Sequence, residues 1–374
     1  MSSIVRIDGT APPRTIAHGS RLAVPRHSTT SLPRVIRSTA EFARHVGLAR
    51  TTVSRVLNGQ PGLKQKTIDR VRKAIDETGF TPNAYALHLK GKRTSLVGIC
   101  MESLLTAPAV SKLAQLQRLL RAQSYASLIE VIDAEGSRSV IRHFLSMRVE
   151  AVVFIGHFVE EEIAARIAEL GRHATPHLVI DHVGIPNANT VALDRRRAMT
   201  EVVSYLVSLG HRSFGLLGLS GPLRSARDRV AGIAETLAGH GMSLEHATVS
   251  LDHLHPRGND FEFGRSLAGS FLGAKRRQTA YLALNDEIAV GAMHGFQEAG
   301  LAVPGEVSVS GFNNQDICLM VNPRLTSVDQ QIQRTVEAAA GILAGQVGRP
   351  LPRRPVVQMI PPLLTVREST GPAP

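Results

Sequence analysis

The sequence predicts an α/β chain with a small helical unit ahead of it, on three observations. Residues 39–59, TAEFARHVGLARTTVSRVLNG, pack two short amphipathic helices around a glycine. From Ser95 onward, short apolar runs alternate with amphipathic helical stretches, the pattern of βαβ units and a parallel sheet. The charge excess is confined to one end: residues 1–93 hold 17 basic and 5 acidic residues, a net of +12, and the remaining 26 basic and 26 acidic residues cancel.

Residues 1–37 carry six arginines, Pro12-Pro13, Pro25 and Pro33, and read as a basic disordered tail. It could add phosphate contacts or have no role. It contains no apolar stretch long enough for a signal peptide, so export is not expected and a cytoplasmic location is. Cys100 and Cys318 are the two cysteines and lie far apart, which fits a reducing compartment with no disulfide framework.

Thr39 is placed to cap a helix whose apolar face is Phe42, Ala43 and Val46, and Gly47 ends it. A second helix, from about Arg50 to Asn58, buries Val53, Val56 and Leu57 and turns out Arg50, Thr51, Thr52, Ser54, Arg55 and Asn58. Two helices about a glycine turn fit a helix-turn-helix, whose second helix enters the DNA major groove. Arg, Asn, Ser and Thr can read base edges there. An ordinary αα-hairpin with a solvated face is the competing reading. The local positive field favours a polyanion and predicts salt-dependent binding. Attachment to a membrane surface would need a long apolar run, a lipidation motif or an amphipathic anchor, and none is present.

Residues 63–80 read as a third helix with Ile68, Val71 and Ile75 on one face, followed by Thr81-Pro82-Asn83. This block resembles the DNA-binding headpiece of the lac/gal repressor family. Thr52-Val53-Ser54-Arg55-Val56-Leu57-Asn58 matches its recognition helix, and Phe80, Pro82-Asn83, Ala86 and Leu89 match the entry to its hinge helix. The resemblance implies a homodimer on a pseudo-palindromic double-stranded operator, with Leu89 of each chain wedged into the minor groove. Arg50, Thr51 and Arg55 would face base edges, and Thr52, Ser54 and Asn58 phosphates. Ala49 and Lys64 stand where the family usually has a hydroxyl residue; a lost cap costs ~1 kcal/mol of helix stability.

Farther along, strands are expected at 95–101, 127–132, 151–156, 177–181, 191–193, 214–219, 281–285 and 307–313. Helices are expected at 110–123, 139–149, about 160–170, 195–209, 225–240 and 287–299. No glycine-rich phosphate loop follows the first strand, so a nucleotide cofactor is not expected. No nucleophile elbow, paired-carboxylate motif or metal-ligand spacing is present either. The expectation is therefore no catalytic residue, no cofactor and no metal.

The resemblance continues to about residue 370. LGHRSFGLLG (209–218), SARDRVAG (225–232), LNDEIAVGAM (284–293), GFNNQDICLMVNPRLTSV (311–328) and LLTVREST (363–370) resemble segments of the family's effector domain. That domain looks like a periplasmic sugar-binding protein, with two doubly wound subdomains around a cleft. The resemblance assigns effector contact to Arg229 and cleft positions to Asp181, Asn285 and Asn313. All four fall at a strand end or in the adjoining helix start, where doubly wound sheets bind ligands. Alternatives stand beside these roles: Arg229 could pair with Asp228 or Glu235 on the surface, and Asn285 could simply cap a helix. Asn313 replaces the family's usual Asp. An amide donates as well as accepts, and with Arg229 it favours a ligand bearing a carboxylate or phosphate. Thr106-Ala107-Pro108-Ala109 lacks the family's aromatic; a stacking platform is either absent or supplied elsewhere, with Phe261 as candidate.

The expected organisation is a tail at 1–37, a headpiece at 38–82, a hinge at 83–93 and an effector domain at 94–370. Its first subdomain would take 94–193 and 329–355, and its second 194–328 and 356–370. The function implied is a repressor controlled by a sugar, sugar acid or sugar phosphate. A solute-binding protein of a transport system, or an enzyme on the same scaffold, would explain the cleft but not the headpiece.

Overall fold

The computed structural model describes residues 36, 38–57, 60–80, 93–102, 106–132, 137–220, 224–250, 259–273, 278–352 and 354–374. It divides into two compact units, Met1–Lys92 and Arg93–Pro374.

The first unit holds α1 (Thr39–Val46), α2 (Arg50–Leu57) and α3 (Gln65–Thr78). The cap of α1 is Ser38, whose Oγ accepts from the Glu41 amide at 3.1 Å, not Thr39, which is already helical. Gly47 closes the helix at φ 68°, a left-handed turn that a side chain resists. Lys64 offers α3 no side-chain cap, as its residue type led one to expect. The helices close on Phe42, Ala43, Val46, Val53, Val71, Ala74 and Phe80, and the Phe42 and Phe80 rings stack at 4.2 Å. Ile68 and Ile75 are only half-buried; Ala74 takes the inner position instead. The expected hinge helix, with Leu89, lies outside the described residues, as does Asn58.

The second unit carries two parallel sheets. In its first lobe the order of elements is β1 (Leu96–Met101), α4 (Ala107–Ala122), β2 (Ala126–Val131), α5 (Ser137–Ser146), β3 (Ala151–Ile155), α6 (Glu160–Arg172), β4 (His177–Ile180) and β5 (Asn189–Leu193). The chain then crosses to the second lobe with α7 (Arg195–Ser208), β6 (Phe214–Leu217), α8 (Arg224–Gly239), α9 (Leu244–Ala247), β7 (Thr248–Ser250), α10 (Asp260–Leu272), β8 (Ala280–Ala283), α11 (Asp286–Glu298), β9 (Ser308–Asn313), α12 (Ile317–Met320) and β10 (Thr326–Asp329). It returns as α13 (Ile332–Gln346) and β11 (Val357–Ile360), and ends in the second lobe with β12 (Leu363–Thr365).

The sheet orders are β11-β5-β4-β3-β1-β2 and β12-β10-β9-β8-β6-β7. All pairings are parallel except β10 with β12. The central strands are buried because helices cover both faces of each sheet: β3 and β5 are buried throughout, whereas the edge strands β2 and β11 are largely exposed or half-buried. α13 packs Val336, Ala339, Ala340 and Leu343 against Leu116 and Leu120 of α4, so the late helix belongs to the first core. The sequence placed residues 356–370 together in the second lobe. Strand pairing divides them: β11 joins the first sheet, with Val357 opposite Thr190, and the crossing follows it. An apolar run announces a strand but not which of two sheet edges accepts it. In the second lobe α10 and α11 cross in close contact. A Cβ added at Gly291 would meet the Phe261 carbonyl at 1.9 Å, so glycine is required there. Among the described residues no helix is long and apolar enough to cross a membrane.

Candidate functional site

In the first unit α2 presents one polar face. Val53 anchors its inner side at 0% exposure, leaving Arg50, Thr51 and Arg55 exposed and Thr52 and Ser54 half-buried. Thr51 and Arg55 are four residues apart and share a face. One N–H of Arg55 donates to the Pro61 carbonyl at 3.1 Å. That bond fixes the guanidinium beside the helix and leaves its remaining donors outward, since arginine has five.

In the second unit, charged side chains converge where the carboxyl ends of the strands meet. Asp181 follows β4, Arg195 opens α7 just after the crossing from β5, and Lys112 reaches in from α4. Lys112 Nζ donates to Asp181 Oδ2 at 2.5 Å and to Gln330 Oε1 at 2.7 Å. Arg195 donates to Asp181 Oδ1 at 3.3 Å and to the Asp181 carbonyl at 3.2 Å. Gln330, just after β10, in turn donates to Asn313 Oδ1 at the end of β9. One hydrogen-bonded line thus runs from Arg195 at the start of the second lobe, through Asp181 and Lys112 of the first, to Gln330 and Asn313.

Arg229 enters from α8. Its guanidinium lies 3.6 Å over the Phe312 ring and donates to the Leu284 carbonyl. It pairs with neither surface acid considered for it: Asp228 faces Arg224, and Glu235 faces Arg196. Asn285 caps α11, accepting from the Ile288 amide at 2.8 Å, and its amide donates to Asp260. Phe261 packs against His294 on the α10–α11 pair; the ring beneath Arg229 is Phe312, a buried core residue.

Electrostatics follow from burial. Lys112 is 2% exposed, Arg195 and Arg229 5% each, and Asp181 8%. Burial by itself would raise the Asp181 carboxyl, but Lys112 and then Arg195 more than offset it and hold it below the usual carboxylate range. Burial pushes the Lys112 ammonium down, and Asp181 restores part of the loss. Arg229, lacking a paired carboxylate, is brought down to about 9 by burial and next by Arg195. His157, just past β3, is pushed down to about 3 by desolvation and then by Arg195, and is neutral at ordinary pH. Asp181 and Asn313 also hold positive φ, 74° and 119°, backbone strain of the kind that gathers at ligand sites.

The structure therefore brings together Asp181, Arg229 and Asn313 of the sequence-derived residues, while the side chain of Asn285 is spent locally. Sequence reasoning missed Lys112, Arg195, Gln330 and His157. For Lys112 a signal existed: it lies four residues before Leu116 and eight before Leu120, on the buried stripe of α4. A cation at a core register asks for a partner. Arg195 is one of three consecutive arginines, and spacing gave no way to choose among them.

A family model for bacterial regulatory proteins of the lacI family matches residues 40–83, and one for a periplasmic binding protein-like domain matches 203–370. In both parts the chain is similar to the lacI family. Catabolite control protein A of Staphylococcus epidermidis is 29% identical over 305 residues, 78% of this chain and 87% of that one. The HTH-type transcriptional regulator AscG of Escherichia coli is 28% identical over 308 residues, 81% of this chain and 90% of that one. Among solved structures, the lac repressor dimer bound to operator and the anti-inducer ONPF is similar at TM-score 0.77 and 25% identity, covering 90% of this chain and 99% of that one. Both of the family's parts thus have their counterpart here, in the order headpiece then two-lobed domain.

Proposed function

We propose that this chain is a lacI-family regulator, a homodimeric transcriptional repressor of the cytoplasm that turns over no substrate. It binds a pseudo-palindromic operator with an affinity set by a carbohydrate-derived effector in the cleft between its lobes. The observation that carries the reading is the exposed Arg50, Thr51 and Arg55 face of α2, held by Val53 on the Phe42–Phe80 stack. It is supported by the relatives' names and by the charge confined to the first 93 residues. In this reading Arg50, Thr51 and Arg55 read bases, Thr52, Ser54 and Asn58 seat phosphates, and Leu89 wedges a central base step. Asp181, Arg229, Asn285 and Asn313 belong to the effector site. Residues 38–82 act as the headpiece, 83–93 as the hinge and 94–370 as the effector domain, with 1–37 as a tail.

Selection of bound duplexes from a random pool tests this. The expected product is a two-fold symmetric sequence whose half-sites are centred one helical turn, about 10 bp, or a multiple of it apart. Binding to it should fall steeply with salt. Enrichment of no sequence, or of an asymmetric one, overturns the operator reading.

A further inference from the structure

A neutral sugar needs both donors and acceptors from its site, and each of the following acceptors already takes a hydrogen bond from within the protein. Both carboxylate oxygens of Asp181 are taken, one by Lys112 and one by Arg195. Asn285 Oδ1 is held by the Ile288 amide, and Asn313 Oδ1 by Gln330. Gln330 Oε1 is held by Lys112. The Asp286 carboxylate beside Arg229 is occupied by the Gln315 amide at 2.8 Å and the Ser327 hydroxyl at 2.5 Å.

Among the buried N–H groups, by contrast, some have no partner at all. The Nε atoms of both Arg195 and Arg229 are buried without a hydrogen-bond partner, a costly state for a guanidinium unless something answers it. The amide nitrogen of Asn313 has no recorded partner among the described residues. The charges tell the same story: Lys112, Arg195 and Arg229 outnumber Asp181 and Asp286, and His157 beside them is neutral.

Resting on the regulator reading above, we propose that the effector is an anionic sugar derivative, a sugar acid or sugar phosphate. Its charged oxygens are seated on Arg229 and Arg195, with the Asn313 amide as a further donor. Lys112 is a positioning residue: by holding Asp181 and Gln330 it keeps those acceptors away from the anion. The shared chemistry is an oxyanion gripped by planar N–H forks. An acidic residue at position 313 would repel that anion, whereas the Asn carries no charge and has N–H to donate.

The test uses the full chain and four probes at constant ionic strength: glucose, gluconate, glucose 6-phosphate and inorganic phosphate. Thermal shift and calorimetry are read against matched potassium chloride. At least one of the three anions raises Tm and glucose does not; gluconate against glucose 6-phosphate separates carboxylate from phosphate. Arg229→Gln loses the shift, and Arg229→Lys keeps part of it. Asn313→Asp preserves the Gln330 bond geometry and is the safer variant for folding; it weakens the anion by about tenfold through like-charge repulsion in a buried site. Glucose matching the anions overturns the proposal. So does an anion set that does no more than chloride, or an unchanged anion response in Asn313→Asp. Operator binding by the wild type is measured in parallel, both without ligand and with the responding anion. Failure in both conditions removes the regulator reading, whereas the anion seat stands or falls on the probes.

Discussion

Arg224, the first residue of α8, donates to Glu160, the first residue of α6, at 2.8 Å, and so ties the second lobe to the first. The buried His182 stands 3.6 Å behind the same carboxylate. Arg224 and Glu160 are both partly exposed, 34% and 43%. Solvent screening leaves such a pair worth at most ~1 kcal/mol. Its importance is its place, since a bond made in only one arrangement of the lobes biases the equilibrium between arrangements.

Arg224→Ala therefore barely alters Tm but shifts the lobes toward separation. The loss of up to ~1 kcal/mol moves the closed population by at most about fivefold. Distances between spin labels on α6 and α8 would read this directly. An unchanged distance distribution with a lower Tm would make the pair a local brace only.

The pH dependence of stability has a definite sign. His157 falls from 6.5 to about 3 in the folded chain, and His182 and His211 are also lowered, each first by burial. Below 6.5 the unfolded chain takes up protons that the folded chain refuses, so stability declines as pH falls toward 3. His157→Gln removes one such proton, and the slope of unfolding free energy against pH becomes shallower by up to ~1.4 kcal/mol per unit between those limits. Denaturant titrations from pH 7 to 4 check it; an identical slope in the variant would mean that His157 is hydrated and titrates normally.

Much of this was legible in the sequence because one physical rule governed each part. Periodicity located β1 to β6 and the helices between them, since burial on both faces forces continuous apolar strands. Val53 and Phe42 follow from helical spacing in the headpiece, whereas the stack with Phe80, two residues past α3, does not. What escaped depends on partners far apart in the chain. Lys112 meets Asp181 across 69 positions and Gln330 across 218, and no local pattern encodes such a meeting. Short elements such as α9 and α12, of four residues each, carry too few residues to show a period. The edge chosen by β11 is likewise a property of the assembled sheet, not of Val357–Ile360.

Arg55 offers a test of readout on the DNA side. Arg55→Ala should cost ~1–3 kcal/mol at the operator if the side chain contacts a base edge. Arg55 is exposed and bonds to the Pro61 carbonyl, so the fold should tolerate the change. Titrations of operator and random duplex at one salt concentration separate the roles: equal losses on both would reduce Arg55 to a phosphate contact.

Arg229 joins the two ends of the argument. It is buried, stacked on Phe312 and bonded to the Leu284 carbonyl, with Nε left over. It belongs to the second unit, whereas the α2 face proposed to read DNA belongs to the first. Arg229→Ala should leave a folded chain whose operator affinity no longer answers to effector. Linkage makes the claim strict: a ligand that does not bind cannot shift an equilibrium between states. The phenotype then identifies the effector's direction. A variant that represses permanently marks the effector as an inducer, and one that never represses marks it as a corepressor. Phe312 controls for mere packing, because Phe312→Leu removes the ring beneath the guanidinium but keeps the charge, and should weaken the response without abolishing it. Operator titrations with and without the ligand found in the probe screen decide the matter; a normal response in Arg229→Ala would move the effector site away from this cleft.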